Sequence, residues 1–190
     1  MRKIKVKKIL IILGIILLLS GIGIGGFWGY KYLKVRKARL EEIFEKKFEE
    51  TSYLYEEALI GASSPSEQKA GFKKVAIELE SLLKMKPNNE ETLKKLVELY
   101  RNLEEYDKAI EYAKKLLKLR PEKADYYWLL GNIYLVDKFD LNRAEEFYKK
   151  ALQKNPNHLP SYIDLARIYK SQNKKELLNE IEEKLKELMK

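Results

Sequence analysis

The hydrophobic pattern changes character along this chain. Ile9 to Tyr30 runs without a charge, and its first half is almost pure Ile and Leu. Beyond it, Leu40, Ile43, Phe44, Phe48, Tyr55 and Leu59 recur at the spacing of one helix face. From residue 64 onward, amphipathic stretches alternate with short polar breaks. Ser64-Pro65-Ser66-Glu67 combines a hydroxyl cap, a proline in the first helical position and a glutamate three residues on. It predicts a helix starting there and running to Lys86. A last helix is expected over 174–190, where Lys and Glu alternate around Leu177, Leu178, Ile181, Leu185 and Leu188. The pattern therefore predicts an all-α chain, with a long apolar helix first and helical hairpins after it.

The hairpins are periodic. Pro87, Pro121 and Pro156 lie 34 and 35 residues apart, and so do Leu96, Leu130 and Leu165, and Tyr100, Tyr134 and Tyr169. Tyr100 to Tyr134 is still 34, while Ala109 to Ala144 is already 35. The extra residue must fall between Leu135 and Arg143, which places a turn between two helices in that segment.

Two helices per period, closed by proline, resemble the tetratricopeptide repeat (TPR). The likeness rests on Tyr127, Leu130, Gly131, Tyr134, Ala144, Tyr148, Ala151 and Pro156, with weaker copies on either side. It divides the chain into a basic tail 1–8, an apolar helix 9–30, a juxtamembrane helix and first helix of a degenerate repeat 31–60, and a loop and second helix 61–89. Repeats follow at 90–123 and 124–158, then a partial repeat and capping helix at 159–190. The expected architecture is a TPR-like α-solenoid behind a single transmembrane helix.

The span 9–30 covers about 33 Å as a helix, enough for a bilayer core. Phe27, Trp28, Tyr30 and Tyr32 at its end suit a headgroup interface. A cleaved signal peptide is the competing reading, but no Ala-x-Ala site follows the apolar run. Five bases precede the span and five follow it, so charge hardly orients it; the denser N-terminal cluster favours a cytoplasmic N-terminus and an extracytoplasmic body. Gly21-Ile22-Gly23-Ile24-Gly25-Gly26 imitates a dinucleotide fingerprint, but it lies inside the apolar run. Gly21, Gly25 and Gly29 are spaced for close helix packing, with Trp28 beside them, and offer a route to homo-oligomers.

Charge and chemistry narrow the function. The net charge is +9, but residues 1–39 hold ten bases and no acid, leaving the remainder at −1. That is not the footprint of a nucleic-acid-binding domain. There is no cysteine and one histidine, His158, expected as an exposed loop residue. No metal-ligand spacing, nucleophile motif or soluble phosphate loop appears. The chain is expected to be no enzyme and to need no cofactor.

The TPR resemblance implies a concave groove lined by the first helix of each repeat, which takes a protein or peptide partner. Carried over by position, the candidate groove residues are Lys94, Arg101, Asn102, Trp128, Leu129, Asn132, Leu135, Val136 and Arg167. The carboxylate-clamp variety is not implied, because Glu98, Leu129, Pro160 and Asp164 occupy positions where that variety has amides and bases. The expected role is a tethered adaptor assisting an envelope, translocation or secretion assembly. The alternative is a structural scaffold that self-associates through its glycine-rich span or forms a fixed subunit of a membrane machine.

Overall fold

The computed structural model describes the backbone of residues 2–190 and the side chains of residues 29–190. Every element among the described residues is helical. Helix α1 is Arg2–Ile60 and α2 is Pro65–Met85. Then come α3 (Glu90–Asn102), α4 (Tyr106–Leu119), α5 (Ala124–Asn132), a π-helical turn (Ile133–Asp137), α6 (Leu141–Lys154), α7 (Leu159–Ser171) and α8 (Lys175–Leu188). The chain divides into two units, residues 1–47 and 48–190.

The first unit is helical, and it corrects the expectation of a single-pass membrane protein. Among the described residues, no helix is long and apolar enough to cross a membrane. The physical reason is charge: from Gly29 onward α1 carries Lys31, Lys34, Arg36, Lys37 and Arg39 within eleven residues. At the centre of a bilayer each such charge costs about 2.5–3.5 kcal/mol. The apolar stretch on which the expectation rested lies, apart from Gly29 and Tyr30, outside the described side chains. So do Gly21, Gly25 and Trp28. Gly29 has open space around it.

The second unit is a stack of helical hairpins. The helix predicted to open at Pro65 does so: Ser64 Oγ accepts from the Glu67 amide at 3.2 Å. The glutamate's return bond goes one residue further back than expected, accepting from the Ser63 amide at 2.8 Å. The prolines do the same work in each repeat. Helices α2, α4 and α6 stop two residues before Pro87, Pro121 and Pro156. Each turn is then closed by a like bond, Asn89 N to Lys86 O, Lys123 N to Arg120 O and His158 N to Asn155 O. In two of the turns a tyrosine staples the proline carbonyl, Tyr127 to Pro121 and Tyr162 to Pro156, both at 3.0 Å.

Packing within a hairpin depends on small residues at the crossing. A Cβ added to Gly131 would lie 2.5 Å from the Tyr148 ring. That ring is fully buried, and its hydroxyl donates to Asn132 Oδ1 at 2.8 Å. Larger residues fill the spaces around such crossings. Tyr100 stacks on Tyr112 and Tyr134 on Phe147, with centroids 5.6 and 5.4 Å apart.

The extra residue is resolved at the end of the first helix of the middle repeat. In its neighbours that helix ends in a Schellman turn. Glu105 N bonds Tyr100 O and Lys174 N bonds Tyr169 O, each across five residues, with Glu104 and Asn173 left-handed. In the middle copy Asp140 N bonds Tyr134 O across six, and Phe139 is the left-handed residue. The insertion was expected in a turn. Part of it is instead absorbed as the π-helical turn, where Lys138 N reaches Ile133 O.

Two stability changes follow. Gly131→Val is expected to cost about 2–3 kcal/mol in urea unfolding, by overpacking against Tyr148. Phe139, with φ 55° and its side chain 83% exposed, pays for a left-handed backbone with no burial in return. Phe139→Gly is expected to raise stability by about 0.5–1 kcal/mol, net of the glycine's greater unfolded-state entropy.

Candidate partner-binding groove

A groove with a volume of about 320 Å³ opens between α3 and α5. Helix α3 contributes Lys94, Val97, Glu98 and Arg101, spaced three and four apart so that all four share one face. Helix α5 contributes Asp125, Tyr126, Trp128 and Leu129. Val97 and Tyr126 are buried and form its base, while Trp128 and Leu129 are half-buried.

Trp128 is held rather than loose. Its Nε1 donates to Asp164 Oδ2 at 2.8 Å. Asp164 is a buried carboxylate on α7, and Arg167 Nη1 reaches its other oxygen at 2.9 Å. The indole therefore bridges two first helices and presents part of one face to the groove in a fixed pose.

Of the residues expected in the groove, the structure brings Lys94, Arg101, Trp128 and Leu129 together. The others do different work. Asn102 donates to the Tyr55 hydroxyl at 3.2 Å, and that hydroxyl donates to Glu98 Oε1 at 2.9 Å, tying α3 to α1. Asn132 is occupied by Tyr148. Leu135 and Val136 lie on the π-helical turn, where Val136 is 54% exposed. Arg167 supports Asp164 from the solvent side.

Asp137 was missed. Its carboxylate takes Arg101 in a two-pronged pair, Nε to Oδ2 at 2.5 Å and Nη2 to Oδ1 at 3.3 Å. No sequence signal singles it out, because the inserted residue gives it no counterpart in the other repeats. Tyr126 and Val97, both buried, also line the groove, and the sequence reading did not place either of them there.

His158 corrects a second expectation. It is buried at 6% exposure, not an exposed loop residue. The ring folds over the first turn of α7, where Nδ1 shares a 2.8 Å hydrogen bond with the Ser161 hydroxyl. Its Nε2 faces Asp125 Oδ1 at 3.4 Å. The order Asp125, His158, Ser161 imitates a hydrolytic relay, but Ser161 is wholly buried, so its hydroxyl has no path to a substrate. Among the described residues, no three His, Cys, Asp or Glu side chains gather to hold a metal.

A further carboxylate anchors the groove's edge. Glu90, at the start of α3, accepts from the Tyr126 hydroxyl and from Lys123 Nζ at 3.2 Å. Lys94 and Arg120 lie at 3.2 and 3.4 Å. The Tyr126 bond, then Lys123 and Lys94, hold its acid constant down at about 2. Burial, and then the Glu90 bond, push the Tyr126 hydroxyl up. Another hollow of about 280 Å³ lies between α1 and α2, but no aromatic ring lines it.

Comparison with known proteins agrees with the stack of helical hairpins. Residues 93–123 and 124–158 each match a tetratricopeptide repeat, and residues 147–185 match a second variant of the same repeat. Residues 93–185 thus carry tetratricopeptide repeats. Among solved structures it is similar to MamA, a TPR protein. One MamA crystal structure is 28% identical, with 63% of this chain and 70% of that chain covered and a TM-score of 0.53. MamA from residue 41 onward, from Desulfovibrio magneticus RS-1, shares the fold at 18% identity, covering 80% and 94%, with a TM-score of 0.56. A third MamA structure is 24% identical over 73% of each chain, with a TM-score of 0.53. No curated protein matches the chain.

Glu90 gives the site a pH signature. Its constant in the folded protein lies below the ordinary 4.5, so its contribution to stability is full above about 4.5. That contribution is lost as pH falls towards about 2. In urea midpoints measured across this window, Glu90→Gln is expected to reduce the acid-dependent loss. An unchanged slope would show that the carboxylate carries none of it.

Proposed function

We propose that the protein is a scaffold that binds a segment of a partner protein along the groove between α3 and α5. The observation that carries this reading is the pose of Trp128. Its indole is fixed by Asp164 across a repeat boundary, while part of the ring faces a groove with an apolar base. A fixed aromatic loses little entropy when a ligand side chain packs on it, which is how interface hot spots work. Leu129 extends the apolar surface, and Lys94, Glu98, Arg101 and Asp125 frame it with charge. An apolar centre within a polar frame is the usual anatomy of a protein interface.

The test separates groove from surface. A photoreactive side chain at position 129 is expected to crosslink a discrete partner, whereas one at Ile77, 65% exposed on α2, is not. With that partner in hand, Trp128→Phe is expected to weaken binding about tenfold, or roughly 1.4 kcal/mol. The loss of the Asp164 bond is expected to shift thermal unfolding by only a few degrees. Equal crosslinking from both positions would remove the groove from the reading.

A further inference from the structure

The groove's four charged lining residues cancel formally, two cations against two acids, but they are not equally free to meet a ligand. Arg101 is committed to Asp137, whose side chain is only 10% exposed. A ligand carboxylate that took Arg101 would leave that sheltered acid without its partner, a costly exchange. Lys94 already lies 3.2 Å from Glu90 Oε1. Lys95, the next base on α3, reaches back over the Phe48 ring, 5.5 Å from its centroid. Arg167 on α7 is paired with Asp164.

The acids are less well matched. Glu98 takes a neutral donor, the Tyr55 hydroxyl. Asp125 is 61% exposed and faces His158 only at 3.4 Å. Beside Val97, Trp128 and Leu129, Glu98 and Asp125 are thus the acids that meet no lysine or arginine, while Lys94 shares Glu90 with Lys123 and Arg120. Arg101's engagement traces to the longer middle repeat, since Asp137 belongs to the π-helical turn that the neighbouring repeats lack.

We propose that the groove selects a cationic segment: an apolar side chain seated on Trp128 and Leu129, with Lys or Arg flanking it to meet Glu98 and Asp125. This rests on the groove reading above and adds the ligand's chemistry. The +9 of the chain lies in residues 1–39, so attraction to that basic segment would favour the acidic peptide, whereas residues 40–190, at −1, give the groove almost no net field of their own. A cationic preference would have to come from the local arrangement.

The experiment uses the full chain carrying Trp28→Phe, which leaves Trp128 as its single indole. Two capped peptides serve as probes, Lys-Lys-Phe-Lys-Lys and Glu-Glu-Phe-Glu-Glu, followed by Trp128 emission at low and moderate salt. The lysine peptide is expected to bind about tenfold tighter than the glutamate peptide, with the margin shrinking as salt rises. Glu98→Gln together with Asp125→Asn is expected to cut that margin by about threefold to tenfold. Asp137→Asn, by releasing Arg101, is expected to strengthen the glutamate peptide.

Equal or reversed preference in the parent, or an unchanged margin in the double variant, would overturn the cationic assignment while leaving the groove in place. No response of Trp128 to either peptide would instead count against the groove itself, and the assignment would fall with it.

Discussion

The fold of the repeat unit depends on one close approach, that of α5 to α6 at Gly131. The Tyr148 ring occupies the space where any side chain on residue 131 would stand, and its hydroxyl is satisfied by Asn132 one residue along. Shape and hydrogen bonding thus fix the same crossing. With α5 held in that position, Trp128 and Leu129, three and two residues earlier on the same helix, line the groove beside α3. The tyrosine staple from Tyr127 to Pro121 fixes the start of the helix as well. The groove is therefore positioned from both ends of α5 by contacts that themselves touch no ligand.

Much of this was legible in the chain. The 34-residue spacing, the proline stops, the cap at Ser64 and the small residue at Gly131 each have a local physical cause, so sequence alone exposed them. Lys94, Arg101, Trp128 and Leu129 were expected in the groove from the TPR resemblance, which assigns groove positions on the first helix of each repeat, and all four line it. Asn102 and Asn132 could not be separated from them. Periodicity says which way a side chain leaves the helix, but not that Tyr55 or Tyr148 waits to engage it. His158 misled for a similar reason: its position in a turn suggested exposure, and the fold-back onto Ser161 is a tertiary event.

The length of the middle repeat was also readable, but its consequence was not. An added residue ordinarily lengthens a loop. Here part of it widens the last helical turn, a device that preserves the left-handed turn and the carbonyl of Tyr134 as its anchor. The result is a carboxylate, Asp137, set against Arg101 on the preceding repeat. A change in backbone length thereby alters the electrostatics of a surface from outside the groove lining.

Helix α8 has a different consequence. It buries none of its side chains, although its counterparts α4 and α6 each bury several. In a stack where each repeat is steadied by its neighbours, α8 packs chiefly against α7 among the described residues. Little apolar surface is given up when it detaches, so the free energy of opening is lowest at this edge and rises towards the middle of the stack. Amide protons of α8 are therefore expected to exchange ahead of those of α5, which buries Ala124, Tyr126, Leu130 and Gly131.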